Sequence, residues 1–289
     1  MDDYQLQHAV LNAASNGINP AGEKYSFLSL AATRKLARDY HIPGRLVELA
    51  ALSREIIPER YQRNIGSIGL KGQIRLLQAK VGLVGAGGLG GFALELLARM
   101  GVGMLVVVDD DVFSDSNLNR QLLATENNMN IPKAETAAKR IEEINSSVEV
   151  QVFQCRSNST NLPDILAGCD LVLDCLDNLS SRFDLENVCQ KMGIIMIHGA
   201  IAGFLGQLAV IRPNHPLLSS IYGSPGKDSA DRGVEVQLGN PAATPAMLAA
   251  WQASEAVKIL TGLNGVLAPD KMLIIDMQSG ESYQVGLTG

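Results

Sequence analysis

The sequence predicts an α/β protein built on a doubly wound, mostly parallel sheet, and three observations point there. From Ala79 onward, short apolar runs alternate with amphipathic stretches, the pattern of repeated strand–helix–strand units. Leu105–Val108 is a continuous apolar run rich in β-branched residues, as expected of a strand covered on both faces. Between the run Lys80–Val84 and the helical stretch Phe92–Met100 lies Gly85-Ala86-Gly87-Gly88-Leu89-Gly90, a G-x-G-x-x-G turn where strand passes into helix.

Residues 1–58 read as a polar to amphipathic helical appendage without strand-like runs. Its clearest parts are Leu28–Tyr40 and Arg45–Ser53, separated by His41-Ile42-Pro43-Gly44. Two readings stay open for this pair, a helical hairpin packed on the main body and a helix-turn-helix using Arg34, Lys35, Arg38 and Arg45. Residues 59–289 form the main domain. After Leu105–Val108 come a helix over Pro132–Ile144, a strand over Val148–Phe153, a short helix end at Asp164–Gly168 and a strand over Leu171–Asp174. A helix over Arg182–Met192 and strands over Ile194–Ile197 and Leu208–Ile211 follow. Residues 213–243 are rich in Pro, Gly, Ser and Asp with weak periodicity, which predicts a flexible crossover segment. Thr244-Pro245 predicts a helix start, with Thr244 as cap, and Gly262 its end. Met272–Met277 and Tyr283–Val285 predict a hairpin of antiparallel strands turning at Ser279-Gly280 and closing the sheet.

The 289 residues are 46% hydrophobic and 19% charged, enough for a sizeable core. A net charge of −6 argues against nucleic acid as the main partner, because a binder of phosphates ordinarily needs a basic face. No run approaches the roughly 20 apolar residues that span a bilayer. Met1-Asp2-Asp3 lacks the basic and apolar parts of a secretory leader, so a cytoplasmic location is expected. Cys155, Cys169, Cys175 and Cys189 show no C-x₂₋₄-C spacing and read as buried free thiols.

The glycine turn lets backbone approach phosphate, and the following helix offers its amides and positive dipole end. Asp109 lies 19 residues beyond Gly90 at the end of the next strand, where a carboxylate accepts ribose hydroxyls. Those features fit NAD as well as ATP. Ser116-Asn117-Leu118-Asn119-Arg120-Gln121, Lys133 after Pro132, and Asp177-Asn178 after the strand Leu171–Asp174 tilt the balance. Two cations and a carboxylate around one nucleotide suit triphosphate and Mg²⁺ chemistry, the cations offsetting charge on phosphorus and leaving pyrophosphate, the acid holding the metal. Each also has a plainer reading: Arg120 and Lys133 as solvated charges, Asp177 as the cap of a helix near Ser180, His198 as a packed strand-end histidine.

Arg60-Tyr61-Gln62-Arg63-Asn64, Gly72-Gln73, Gly85–Gly90, Asp109-x-Asp111, Ser116–Gln121, Pro132-Lys133 and Leu173–Asn178 occur in one order. Together, over about residues 59–277, they resemble the ThiF/MoeB/HesA enzymes, which are similar to the adenylation domain of ubiquitin-activating E1 proteins. The resemblance implies a Rossmann-like domain that binds ATP and Mg²⁺. It would adenylate the C-terminal glycine of a small ubiquitin-like sulfur carrier ending in Gly-Gly, in thiamine, molybdopterin or related sulfur metabolism. It implies nucleotide-binding roles for Gly85, Gly87, Gly88, Gly90, Asp109, Asp111, Ser116, Asn117, Arg120, Lys133, Asp177 and Asn178. Asp177 would hold Mg²⁺ through ATP, and Arg120, Lys133, Asp177 and Arg63 would be catalytic. Arg63 would enter the partner's site of a homodimer. Alternatives are adenylation of another carboxylate (a peptide terminus or a modified tRNA nucleoside), an NAD-binding oxidoreductase, and a silent nucleotide-binding module. Two departures matter: the paired zinc cysteines of many relatives are missing, and residues 213–243 contain no cysteine. Neither a zinc site nor covalent capture of the activated protein is expected.

Overall fold

The computed structural model describes residues 3–19, 21–223 and 235–287. The main sheet has eight strands: β4 (Lys80–Val84), β5 (Met104–Val108), β6 (Glu149–Phe153), β7 (Leu171–Asp174), β8 (Ile195–Ala202), β9 (Leu205–Ile211), β10 (Lys271–Asp276) and β11 (Glu281–Gly286). Their spatial order is β11-β10-β9-β8-β7-β4-β5-β6. Strands β4 to β8 run parallel, and β9, β10 and β11 add on antiparallel, as expected.

Alternation along the strands divides the core in two. Val81 and Leu83, Leu105 and Val107, and Leu171 and Leu173 face one side. There they meet α5 (Gly88–Met100), α6 (Lys133–Ile144) and α11 (Ala243–Thr261). Val84, Val106, Val108 and Val172 face the other side, under α7 (Leu162–Ile165), α8 (Leu179–Met192) and α9 (Leu218–Tyr222). Both faces are covered, so these strands are apolar throughout instead of alternating.

The first 58 residues differ from the all-helical expectation. Helices α1 (Asp3–Ala13), α2 (Leu30–Tyr40) and α3 (Gly44–Leu52) are joined by a small sheet of β1 (Ser15–Ile18), β2 (Lys24–Leu28) and β3 (Ile57–Pro58). β1 is largely exposed and β2 is half-buried up to the buried Leu28, so no apolar alternation announces them. The readable signal was the turn: Asn19 Oδ1 accepts from the amides of Ala21 and Glu23. The α2–α3 pair packs with α1 around Leu6, Val10, Leu36, Val47 and Ala51. Arg45 pairs with Glu149 at 2.7 Å, Lys35 with Asp39, and Arg34 reaches Ser146, so most of the basic cluster is engaged within the chain.

A buried joint ties this unit to the main domain. Tyr61, on the 3₁₀ turn Glu59–Tyr61 before α4 (Gln62–Gln78), is fully buried. Its hydroxyl donates to Glu48 Oε2 at 3.0 Å and accepts from Asn145 Nδ2 at 2.8 Å, while Arg60 contacts both Asn145 and Glu48. Arg60 is thereby drawn into the joint.

Three smaller expectations change. α5 starts at Gly88, earlier than Phe92, because the glycine-rich stretch is already helical. α11 starts at Ala243, and the Thr244 hydroxyl, expected as its cap, donates to the Gly203 carbonyl at 2.8 Å. The segment 213–243 contains α9 and α10 (Glu235–Leu238). The centre of that expected flexible stretch, 224–234, lies outside the described residues. Among the described residues no helix is long and apolar enough to cross a membrane.

Candidate active site

Strand order reverses between β4 and β7, since β5 follows β4 on one side and β7 lies on the other. Connections leave such a point in opposite directions, opening a crevice beyond the C-terminal strand ends. A cavity of about 710 Å³ lies there. Gly85, Gly87, Gly88, Asp109, Asp111, Arg120, Lys133, Asp177 and Asn178 all line it.

The glycine turn needs its glycines for two different reasons. Gly85 has φ +98°, and a Cβ there would sit 2.5 Å from the Cys175 carbonyl oxygen. Gly90 lies a turn inside α5, where a Cβ would meet the Gly85 oxygen at 1.9 Å. Gly90 does not line the cavity; it lets the helix sit tightly on the turn. Gly87 is the residue before α5 and brings no side-chain cap, so the first-turn amides remain available to an anion.

Asp109 holds the turn from the neighbouring strand. Its Oδ2 accepts from Ala86 N at 2.7 Å and its Oδ1 from Asp111 N at 2.8 Å. Burial raises its pKa, against the lowering effects of the Ala86 amide and Lys133. Lys133 is only 5% exposed and its ammonium lies 2.7 Å from Asp111 Oδ2. Arg120 is oriented by donation to the Ser116 carbonyl and Asn119 Oδ1, both at 2.9 Å. Ser116 and Asn117, expected at the nucleotide, do not line the cavity. Asn117 Oδ1 caps the 3₁₀ turn Asp115–Asn117 by accepting from Ser114 N at 3.1 Å, and the Ser116 hydroxyl contacts Ser114 Oγ. They shape the loop that carries Arg120.

At the other rim the cap of α8 is Asn178, whose Oδ1 accepts from Ser181 N at 2.9 Å. The Asp177 carboxylate is thus spared the capping role and lines the cavity; its contact with a neighbour is a 3.4 Å approach from Asn178 Nδ2. Arg63 is exposed on α4 and does not line the cavity of its own chain.

Several lining residues were missed. Arg156 and Ser157 follow β6, and the C-terminal end of a parallel strand beside Asp109 was a usable signal. Gln207 and Tyr222 also line the cavity, without any local sign in the sequence. His198 is fully buried as a packed histidine, with Nδ1 2.6 Å from Asp174 Oδ2. Burial pushes its pKa down. Cys169, Cys175 and Cys189 are buried and Cys155 half-buried, all with free thiols. Burial raises the thiol of Cys169 to about 11 and that of Cys189 to about 12. Among the described residues no three His, Cys, Asp or Glu side chains cluster as a metal cage.

The sequence model of the ThiF family matches residues 61–285, which spans every element around this cavity. The chain belongs to the ThiF family. A SAMP-activating enzyme E1 of Haloferax volcanii is 41% identical over 209 residues, covering 70% of this chain and 75% of that one. The sulfur carrier protein ThiS adenylyltransferase of Escherichia coli is 35% identical over 208 residues, 71% of this chain and 82% of its own. A probable molybdopterin-synthase adenylyltransferase of Porphyra purpurea is 36% identical, but the match spans only 56% of its length. Among solved structures, E. coli MccB with ATP superposes with TM-score 0.66 at 20% identity, over 89% of this chain and 79% of that one. PaaA does so with TM-score 0.67 at 17% identity, over 96% of this chain and 99% of that one. At these identities the likeness is one of fold.

Proposed function

We propose that this ThiF-family enzyme is an adenylyltransferase acting on the C-terminal glycine of a small ubiquitin-like sulfur carrier, with residues 59–289 as its adenylation domain and 1–58 as an appendage. The observation that carries the reading is the convergence of the turn amides, Arg120, Lys133 and the Asp177 carboxylate on one cavity at the strand-order reversal. Relatives named as adenylyltransferases of sulfur carriers support the same substrate class. Thiamine, molybdopterin or related sulfur metabolism is the expected setting, in the cytoplasm.

The residues divide the work by position. The Gly85–Gly88 turn and the first-turn amides of α5 take phosphate oxygens. Asp109 keeps lone pairs for the ribose hydroxyls while its amide contacts hold the turn. Arg120 and Lys133 offset charge on the α-phosphate and the departing pyrophosphate. A carboxylate oxygen of the acceptor attacks the α-phosphorus, and the bond to the bridging oxygen of pyrophosphate breaks. No proton has to move, so no general base is required. A carboxylate on the cavity rim beside a triphosphate fits Mg²⁺, which is ordinarily held by one or two acids plus phosphate oxygens. Asp177 would hold that ion. When bound, it would supply positive charge against the phosphates.

Arg63 is exposed and away from its own cavity, which supports its insertion into a partner's site in a C₂ homodimer. ATP–pyrophosphate exchange tests the core of the reading, with a panel of small ubiquitin-like proteins presented with and without a Gly-Gly tail. Exchange should need the tail and fall by about 10²–10³ or more in Asp177→Ala. Exchange driven only by a peptide or nucleoside carboxylate would replace the acceptor. Absence of ATP binding would sink the reading altogether.

A further inference from the structure

Beside the Asp177 rim runs a closed ring of hydrogen bonds, with Arg182 and Tyr222 on the cavity wall, to which the reaction above assigns no role. Asp174 Oδ2 meets His198 Nδ1 at 2.6 Å, and His198 Nε2 meets the Tyr222 hydroxyl at 2.9 Å. Arg182 Nη1 donates to that hydroxyl at 3.1 Å, and Arg182 Nη2 donates to the Leu176 carbonyl at 2.6 Å. The Leu176 amide donates to Asp174 Oδ1 at 3.0 Å and closes the ring. Gln207 Nε2 also donates to the Tyr222 hydroxyl.

The protons in this ring have one consistent arrangement. Arg182 and Gln207 both donate to Tyr222, which fills the two lone pairs of its oxygen. The Tyr222 proton must then go to His198 Nε2, and His198 must carry its own proton on Nδ1, donated to Asp174. Every link has a donor and an acceptor without help from water. The ring draws on four elements: β7 with its following turn, α8, β8 and α9. The start of α9 is itself held by Glu186 of α8, whose Oε1 accepts from Leu217 N at 2.7 Å and Leu218 N at 3.0 Å.

The ring acts on the peptide just before Asp177. Asp174 takes the amide of Leu176 and Arg182 takes its carbonyl, so this unit is clamped from both ends. Asn178, on the far side, is fixed as the helix cap. Burying Asp174, Arg182 and His198 at 8% exposure or less carries a desolvation cost that apolar side chains of similar volume would avoid. A defined backbone position at the cavity rim is what the polar set adds.

We propose that His198 and Tyr222 are positioning residues for the Asp177 carboxylate, completing the ring that aims it into the nucleotide cavity. The inference rests on the reading of Asp177 as a ligand of Mg·ATP. Its test is calorimetric binding of ATP with Mg²⁺ and with EDTA, together with the Mg²⁺ dependence of pyrophosphate exchange, in full-length protein. Tyr222→Phe removes one oxygen and keeps the ring shape. It should reduce the preference for Mg·ATP over free ATP about 10-fold and raise the half-saturating Mg²⁺ for exchange by a similar factor. KM for the carrier should stay at the wild-type value, and His198→Gln should behave likewise. A merely structural role would lower Tm and leave the Mg²⁺ preference alone, and that result in folded Tyr222→Phe overturns the proposal. If Tyr222→Phe does not fold, Arg182→Lys is read in the same way, because lysine offers one nitrogen where Arg182 uses two, one for Leu176 and one for Tyr222. Should Asp177→Ala abolish the Mg²⁺ preference while Tyr222→Phe keeps it, only the positioning role fails. Should Asp177→Ala keep it, the reading of Asp177 fails and the positioning role with it.

Discussion

His198 shows how a single side chain couples the fold to pH. It is enclosed by Asp174 of β7, Arg182 and Glu186 of α8 and Tyr222 of α9, and burial is the largest influence on it, lowering its pKa. In the unfolded chain it titrates at its ordinary 6.5. Below that pH the unfolded state takes up a proton that the folded state resists, so stability is complete above 6.5 and declines as pH falls through the folded pKa. Glu48 works in the opposite sense, because burial raises its pKa and protonation relieves it as pH falls. The comparison that isolates His198 is therefore urea unfolding of wild type and His198→Gln from pH 7.5 to 5. Wild type should lose stability with a slope of up to about 1.4 kcal/mol per pH unit beyond that of the variant. Parallel curves would refute the assignment.

At the scale of elements, the first 58 residues and the main domain meet through polar groups as much as apolar ones. Leu52, Tyr61 and Leu77 form a small apolar contact, and the Glu48–Tyr61–Asn145 chain runs through it. Asn145 also donates to the Ala98 carbonyl at 2.9 Å, near the end of α5, so the joint reaches the helix that begins at the glycine turn. Tyr61→Phe leaves Glu48 Oε2 and Asn145 Nδ2 short of a partner inside the protein. The expected cost is about 1–3 kcal/mol of stability with little change in ATP affinity, read by thermal unfolding and nucleotide titration. An unchanged Tm would mean that the joint opens readily to water.

For the molecule as a whole, the decisive question is whether one chain completes its own site. The cavity contains Asp109, Arg120, Lys133 and Asp177 but not Arg63. If Arg63 acts in trans, Arg63→Ala and Asp177→Ala are each inactive as homodimers, yet a mixed dimer holds one intact site. Mixing equal amounts with subunit exchange should restore about a quarter of wild-type sites in the exchange assay. No recovery from demonstrably mixed dimers would assign Arg63 a role within its own chain or none in catalysis.

Much of this protein was legible in its sequence because the signals are local. Strand–helix alternation, continuous apolar runs such as Leu105–Val108 and the glycine turn follow from backbone geometry and two-sided burial, which neighbouring residues express together. Asp109 and Asp177 could be singled out because each lies just past a strand end, Arg120 because it sits in the polar run that follows Asp109, and Lys133 because it opens a helix after Pro132. The β1–β2 hairpin escaped because β1 is largely exposed and β2 half-buried without alternation, so neither imposes a pattern. Tertiary structure alone decided which polar residues face the cavity and which stand behind it. Gly90, Ser116 and Asn117 turned to packing and capping, while Gln207 and Tyr222, on elements far along the chain, came to the wall. The ring of Asp174, Leu176, Arg182, His198 and Tyr222 joins partners up to 40 residues apart, through contacts that exist only once the sheet has set its strand order. A local pattern records which face a residue buries; it does not record the partner waiting there.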